Sequence, residues 1–446
     1  MKIGVVGVGY LGAVHATALA SIGFDVTATD VDDAKVASLN AGMATFHEPG
    51  FDDLLARTVD QGNLRFTTDP TELADHDVVF LCVGTPQVSG GSAADLSQVW
   101  SAVADLAPHL AADAVLVGKS TVPVGTAARI ADFLVERGSS ATVVWNPEFL
   151  REGFAVRDTL EPDRIVVGAP DDAAGARAVD LLREVYAAPL AAGTPLLVTD
   201  VATAELVKAA ANAFLATKIS FINAMAEICD EVGADVTQLA DAIGHDSRIG
   251  SQFLKAGVGF GGGCLPKDIR AFRARSAELG VGQALDFLDD VDDINRRSRS
   301  RARDAALGAL EGVDEPVVTV LGAAFKPDSD DTRDSAALDI AAQLAATGAA
   351  VRVHDPAALA TAARVAPQLD YRADLSDALA GADLVMVLTE WREYRDLDPD
   401  EAGRLVRRRR VIDGRNCLPA QSWADAGWHW SGMGVPDRLP APATVS

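Results

Sequence analysis

Nowhere in these 446 residues does an apolar run reach the roughly 18 to 20 residues that a membrane-spanning helix needs. No charged-then-apolar leader precedes the first strand signal at Lys2, so a cytoplasmic protein is expected. Cysteine is scarce. The four present, Cys82, Cys229, Cys264 and Cys417, are widely spaced and form no CxxC pair, which speaks against a disulfide framework and against a zinc site. The seven histidines are scattered without HxH or HExxH spacing, and nothing implies a metal. Cations are in deficit: 39 Lys and Arg against 64 Asp and Glu leave a net charge of −25. That excludes nucleic acid and anionic membranes as partners. It leaves room for a phosphorylated small ligand, which needs only local cations. What is plentiful is ordinary globular material, 49% apolar, in a chain long enough for two or three domains.

The chain opens on a dinucleotide signal. Lys2 to Val6 is a short apolar run, followed at once by Gly7-Val8-Gly9-Tyr10-Leu11-Gly12, a helical stretch to Ala20, and a second strand ending on Asp30. Gly7 permits the tight turn, Gly9 lets a pyrophosphate approach the backbone, and Gly12 lets helix and strand pack. The pyrophosphate then rests on the helix N-terminus. Asp30, 23 residues past Gly7, is placed to accept from an adenosine ribose. A 2′-phosphate would meet Asp30, Asp32 and Asp33, so NAD is expected over NADP.

Residues 259–268 read Gly-Phe-Gly-Gly-Gly-Cys-Leu-Pro-Lys-Asp. Bare backbone before a lone thiol suits a bulky ligand lying close to the chain. Pro266 suits a first helical position, so Cys264 is expected at a helix N-terminus, where orphan N–H groups and the dipole favour a thiolate. Lys267 adds positive charge, and Asp268 lies one helical turn beyond the thiol. The group reads as an activated nucleophile with an adjacent base. A buried structural cysteine is the plain alternative; the glycine run and the charged pair favour chemistry.

Between these signals run apolar strands without alternation, at 77–83, 114–121, 143–147 and 164–168, separated by helices. This is the pattern of a parallel sheet covered on both faces. Ligands in such sheets bind beyond the carboxyl ends of strands, where Gly84-Thr85-Pro86, Thr121 and Glu148 fall. From Thr203 to Val232 the pattern becomes one long helix, and Lys208 and Asn212 sit four apart on it. From Asp314 the first logic repeats: a strand ending on Gly322, then Asp355 in the place of Asp30. Ala323-Ala324-Phe325-Lys326 replaces the glycine turn, so a cation would meet phosphate there. The expected fold is α/β, two doubly wound, Rossmann-like parallel-sheet domains joined by a long central helix and helical region. The domains are placed at 1–200 (NAD-binding), 201–312 (long helix, cysteine loop and dimerisation), 313–435 (a second nucleotide-binding-like sheet, which the resemblance below makes sugar-nucleotide-binding) and 436–446 (a loose tail).

These motifs resemble the UDP-glucose/GDP-mannose 6-dehydrogenase family over nearly the whole chain. The resemblance rests on Gly7–Gly12, Val83-Gly84-Thr85-Pro86, 120–125 (STVPVG), 146–153 (NPEFLREG), 205–208 (ELVK) with Asn212, the Cys264 decapeptide, 325–327 (FKP) with Arg333, and 413–415 (DGR). It implies a four-electron oxidation of a sugar C6 alcohol to a carboxylate by two NAD, with no free aldehyde. It assigns catalysis to Cys264, Lys208, Asn212 and Asp268, and the catalytic water and nicotinamide to Thr121, Glu148 and Glu152. Cofactor contacts would be Gly7, Gly9, Tyr10, Leu11, Gly12, Asp30, Lys35, Thr85, Pro86, Thr121, Glu152, Lys267 and Arg333. Contacts to a UDP-sugar would come from Glu148, Phe149, Leu150, Arg151, Glu152, Lys208 and Asn212. The run Phe253, Leu254, Lys255, Gly257 and Gly261 would join them, as would Phe325, Lys326 and Arg415. Arg248 matches an arginine that reaches the site of a neighbouring subunit, which implies a homodimer or larger homo-oligomer. The family's usual serine before the cysteine is Gly263 here, a change expected to loosen the loop. The run 248–257 is most like the UDP-glucose branch; GDP-mannose and UDP-N-acetylhexosamine remain alternatives, as do a simple hydroxyacid dehydrogenase and a non-catalytic sugar-nucleotide sensor.

Overall fold

The computed structural model describes residues 1–441, so the expected loose tail, 436–446, lies partly outside them. Within the described part of that tail, Arg438 exchanges two backbone hydrogen bonds of 2.9 Å with Trp430. The chain forms two compact units, 1–211 with 270–282 and 212–269 with 283–446.

The first unit is built on eight strands: β1 (Lys2–Val6), β2 (Asp25–Thr29), β3 (Leu64–Thr67), β4 (Val78–Leu81), β5 (Val115–Gly118), β6 (Thr142–Trp145), β7 (Ile165–Gly168) and β8 (Leu196–Thr199). Their order is β3-β2-β1-β4-β5-β6-β7-β8. Strands β4, β5 and β7 are buried at every residue, as apolar runs without alternation require when helices cover both faces. Alternate residues feed two cores: Val78 and Phe80 on one face, Val79 and Leu81 on the other. One pairing departs from the all-parallel expectation. Strand β7 runs antiparallel to β6 through Trp145 and Gly168. The segment between them holds only the six-residue helix Ala155–Leu160. It never crosses back under the sheet, and antiparallel neighbours need no crossover. Residues 146–153 therefore stay at the carboxyl end of β6.

The second unit holds β9 (Val317–Leu321), β10 (Ala350–His354), β11 (Asp370–Tyr371), β12 (Leu384–Val387), β13 (Arg410–Asp413) and β14 (His429–Gly432). The order β11-β10-β9-β12-β13-β14 repeats that of the first six strands, and all pairings are parallel. In both sheets the order reverses beside the first strand, the switch point where doubly wound sheets bind ligands.

The expected long helix is Val201–Val232, 32 residues. Gly233, at φ +70°, ends it in the left-handed conformation that glycine tolerates, and the Ala234 N–H closes back on the Cys229 carbonyl at 3.0 Å. Cys82 and Cys229 are buried as expected. No helix among the described residues is long and apolar enough to cross a membrane.

Candidate active site

In the first unit the glycine turn divides its labour as read. A Cβ on Gly7, at φ +87°, would stand 2.9 Å from the Val83 backbone, and one on Gly12 would stand 1.8 Å from the Gly7 carbonyl. A Cβ on Gly9 would meet nothing within 4 Å. The middle glycine alone faces open space, at the N-terminus of the helix Tyr10–Ser21, which fits a cradle for a pyrophosphate. Asp30 accepts from the Val8 N–H at 2.9 Å and from Lys35 Nζ at 3.1 Å. The lysine expected at the cofactor is thus paired to the acid expected at its ribose.

Sequence reasoning missed Glu48, which is buried and binds this turn to the 146–153 segment. It accepts from the Gly153 N–H at 2.6 Å, the Ala155 N–H at 2.7 Å and the Tyr10 hydroxyl. Burial and the Glu48 carboxylate push the Tyr10 phenol well up. The only local signal was Glu48 before Pro49-Gly50, which reads as an ordinary turn. Glu152 is half-buried close by, and Leu11 packs on the core.

At the strand exits, the Thr85 hydroxyl donates to the Thr121 carbonyl at 2.8 Å, which pins β4's exit to β5's; Pro86 is exposed. Glu205, on the long helix, accepts from the Gly125 and Ala127 N–H groups at 2.7 Å each and so caps the helix Thr126–Glu136. One turn on, Lys208 Nζ lies 2.8 Å from Glu148, and both side chains are nearly closed to solvent. The Leu150 N–H donates to the other Glu148 oxygen at 2.6 Å. Burial alone would raise the Glu148 carboxyl. The Lys208 charge and hydrogen bond, the Leu150 N–H and the Lys119 charge outweigh it and hold it below the usual carboxylate range. The Phe149 ring lies 3.7 Å from the Arg164 guanidinium and 5.8 Å from Lys208 Nζ. Arg151 is largely exposed and held bidentate by Asp158.

In the second unit Cys264 is exposed and directly precedes the helix Leu265–Glu278. The Asp268 N–H donates to the Cys264 carbonyl at 2.9 Å, the first bond of that helix, and Pro266 takes its second position. The Asp268 side chain is buried. It accepts from Asn212 Nδ2 at 2.7 Å and Lys267 Nζ at 2.6 Å. Lys267, expected to lend its charge to the thiol and the cofactor, donates to the neighbouring carboxylate. Nearest-neighbour geometry decides this, since the side chains of adjacent residues reach each other at the helix start.

The glycine run also serves a purpose other than the one expected. A Cβ on Gly261 would meet the Asp334 carbonyl at 2.2 Å, on Gly262 the Phe325 ring at 2.7 Å, and on Gly263 the Arg333 guanidinium at 2.1 Å. The bare backbone admits protein groups. The loop carrying Gly263 is tied down: the Gly262 N–H donates to the Arg333 carbonyl at 2.8 Å and the Gly263 N–H to Asp331 at 3.3 Å. Arg333 itself is oriented by Asp331 at 2.7 Å.

Arg415 donates to the Gly259 and Leu388 carbonyls at 2.9 and 2.8 Å, which ties the cysteine loop to the exit of β13. Lys326 Nζ lies 5.3 Å from the Phe325 ring centre. Asp355, in Asp30's place, is buried and accepts from the Ala323 and Ala324 N–H groups and from Trp391. In the run 253–257, Leu254 is buried in the core and Gly257 donates to Asn223 on the long helix at 2.8 Å, so these two offer a ligand backbone at most. Phe253, at φ +63°, and Lys255 are exposed. Arg248 is 88% exposed and paired with Asp246 at 2.6 Å.

Three sequence models of the UDP-glucose/GDP-mannose dehydrogenase family match the chain in order. They are the NAD binding domain at residues 1–189, the central domain at 202–297 and the UDP binding domain at 319–420. A UDP-glucose 6-dehydrogenase of Rhizobium meliloti (strain 1021) is 41% identical over 442 residues, 98% of this chain and 100% of the relative. One of Bacillus subtilis (strain 168) is 39% identical over 448 residues, 99% of this chain and 100% of the relative. The solved structure of a UDP-glucose dehydrogenase from Pyrobaculum islandicum superposes with a TM-score of 0.88 at 36% identity, covering 98% of each chain.

Proposed function

This chain belongs to the UDP-glucose/GDP-mannose dehydrogenase family, an oxidoreductase with that family's NAD binding domain, and we propose that it oxidises the C6 alcohol of UDP-glucose to the carboxylate of UDP-glucuronate through a covalent adduct on Cys264. The observation that carries this is an exposed thiol at a helix start with a buried carboxylate, Asp268, one turn on and held by Asn212 and Lys267.

NAD would be held by Gly7, Gly9, Gly12 and Asp30, and when bound it accepts the hydride of each oxidation. Asp268, or a water it holds, takes the proton of the C6 alcohol. The Cys264 thiolate adds to the resulting aldehyde carbon, forming a C–S bond and trapping the aldehyde as a thiohemiacetal. A second oxidation leaves a thioester. Glu148 and Thr121 position the water that breaks the C–S bond and returns the thiolate. Oxyanions form in both halves, and Lys208 with the Asn212 amide, one turn apart on one helix, stabilises them. The balance is one alcohol, two NAD and one water giving one carboxylate, two NADH and three protons.

We also read the enzyme as a dimer. The long helix exposes Phe214, Phe221 and Ile228 at 67, 47 and 54%, seven residues apart on one face. Arg248 is the residue we expect to reach the partner's substrate.

Purified protein with NAD and a panel of sugar nucleotides tests the reading. We expect about two NADH per UDP-glucose and a uronic acid, as a thiol-linked pair of oxidations requires. One NADH with free aldehyde would sink it, and turnover of GDP-mannose or a UDP-N-acetylhexosamine alone would move the chain to another branch. Cys264→Ser should retain part of the first oxidation and nearly abolish the second. Near wild-type release of uronic acid by that variant would make Cys264 structural.

A further inference from the structure

Behind Glu148 the first unit holds a polar cluster that this chemistry does not use. Lys119 follows the last residue of β5 and Asn146 that of β6. Lys119 Nζ donates to Asn146 Oδ1 at 3.0 Å and to the Tyr186 hydroxyl at 3.3 Å; that hydroxyl donates to the same Asn146 oxygen at 2.5 Å. Asn146 Nδ2 donates to the Val166 carbonyl of β7 at 2.7 Å. Lys119, Asn146 and Tyr186 are 7, 2 and 6% exposed. The two side chains accepting from the ammonium are neutral, which is a costly way to bury a cation. Lys119, Asn146, Tyr186 and Glu148 line one cavity of about 50 Å³.

We propose that Lys119 is a positioning residue for Glu148: its ammonium, anchored on Asn146 two residues before that carboxylate, supplies the second positive charge that orients and stabilises it for the hydrolytic step. This rests on the reading of Glu148 as the group that holds the attacking water. Lys208, the first positive charge, is also asked to stabilise oxyanions. When it turns to them it leaves Glu148 with less. Lys119 is fixed by Asn146 and Tyr186 and does not turn.

Other titratable groups line the cavity, Arg164 among them, but the cations that lower Glu148 are Lys208 and Lys119. Burial pushes His15 well down and Tyr186 up, so both are neutral near pH 7, and it pushes the nearby Cys82 thiol up to about 12. Asp158 is held by Arg151, and Asp163 adjoins Arg164, whose guanidinium lies on Phe149. Both Lys208 and Lys119 contribute to holding Glu148 below its usual range.

The test is single-turnover kinetics from about pH 5 to 8, with NADH release and mass spectrometry of the protein read separately. Lys119→Met should leave the first NADH burst within about twofold. Hydrolysis should slow on the order of tenfold, equal to about 1.4 kcal/mol. A thioester should accumulate on Cys264, and the acid limb of hydrolysis should move up in pH. Tyr186→Phe keeps the charge and should keep the limb. An unshifted limb in Lys119→Met, or equal loss in both half-reactions, would overturn the proposal. Should that variant fail to fold, Lys119→Gln, which removes the charge but keeps a donor to Asn146, is read in the same way, and an unshifted limb in it refutes the proposal. Two NADH from the wild type with an unshifted variant defeats this inference alone. One NADH from the wild type defeats the reading beneath it.

Discussion

A serine at position 263 would bring its Cβ to 2.1 Å from the Arg333 guanidinium. The glycine therefore matters for what it lets lie on the loop, not for flexibility. Gly263→Ser should push Arg333 off the loop while the Gly262 and Asp331 hydrogen bonds keep the loop in place. If Arg333 contacts the cofactor, KM for NAD rises about tenfold, which corresponds to about 1.4 kcal/mol, while alkylation of Cys264 keeps its rate. An unchanged KM with faster alkylation would mean that the side chain only loosens the loop. Glu148 and Lys208 form a buried pair, and removing one partner of such a pair costs about 3–5 kcal/mol. Loss of activity in Lys208→Ala must therefore be read beside its stability.

Elements carry the assembly. The long helix is continuous because few residues in it break a helix and Gly233 stops it. Its exposed Phe214, Phe221 and Ile228 recur every two turns, a spacing that keeps them on one stripe. Isolated apolar residues on a surface need no explanation; three in register do. If the chain dimerises through this stripe, as proposed, Phe221→Asp should give a monomer, seen by light scattering, with far-UV circular dichroism unchanged. A wild-type mass for that variant would place the dimer contact elsewhere. The short antiparallel step from β6 to β7 is the other decisive element, since it leaves 146–153 at the end of the sheet where Glu48 can bind its Gly153 N–H.

Three histidines are buried among the described residues, His15, His76 and His354, and burial pushes each below its ordinary value. The unfolded chain protonates them near pH 6.5 and the folded chain does not, so it binds more protons there and stability falls as pH drops through that range. Each adds up to about 1.4 kcal/mol per pH unit until its own folded value is reached. Glu205 and Asp413 are raised by burial and act in the opposite sense. Urea unfolding at about pH 7.5 and 5.5 should show the loss, and His354→Phe should lessen it. Equal slopes in both proteins would show that His354 titrates normally.

What the amino-acid sequence determined by itself is local in origin. Apolar runs without alternation specify buried parallel strands, as β4 and β5 are. The spacing of Gly7, Gly9 and Gly12 specifies the turn, and Cys264 and Asp268 are one turn apart because a helix starts between them. The same local logic failed where partners are remote. Glu48 meets residues 105 and 107 positions away, and Lys119 meets Tyr186 67 positions away. A buried polar side chain leaves no periodic trace, since its partner is chosen by strand order and crossover. The groups packed on 261–263 and the reversal of β7 were likewise decided by packing. Hydrogen-bond geometry and close contact are satisfied only in three dimensions, so these choices belong to the tertiary structure.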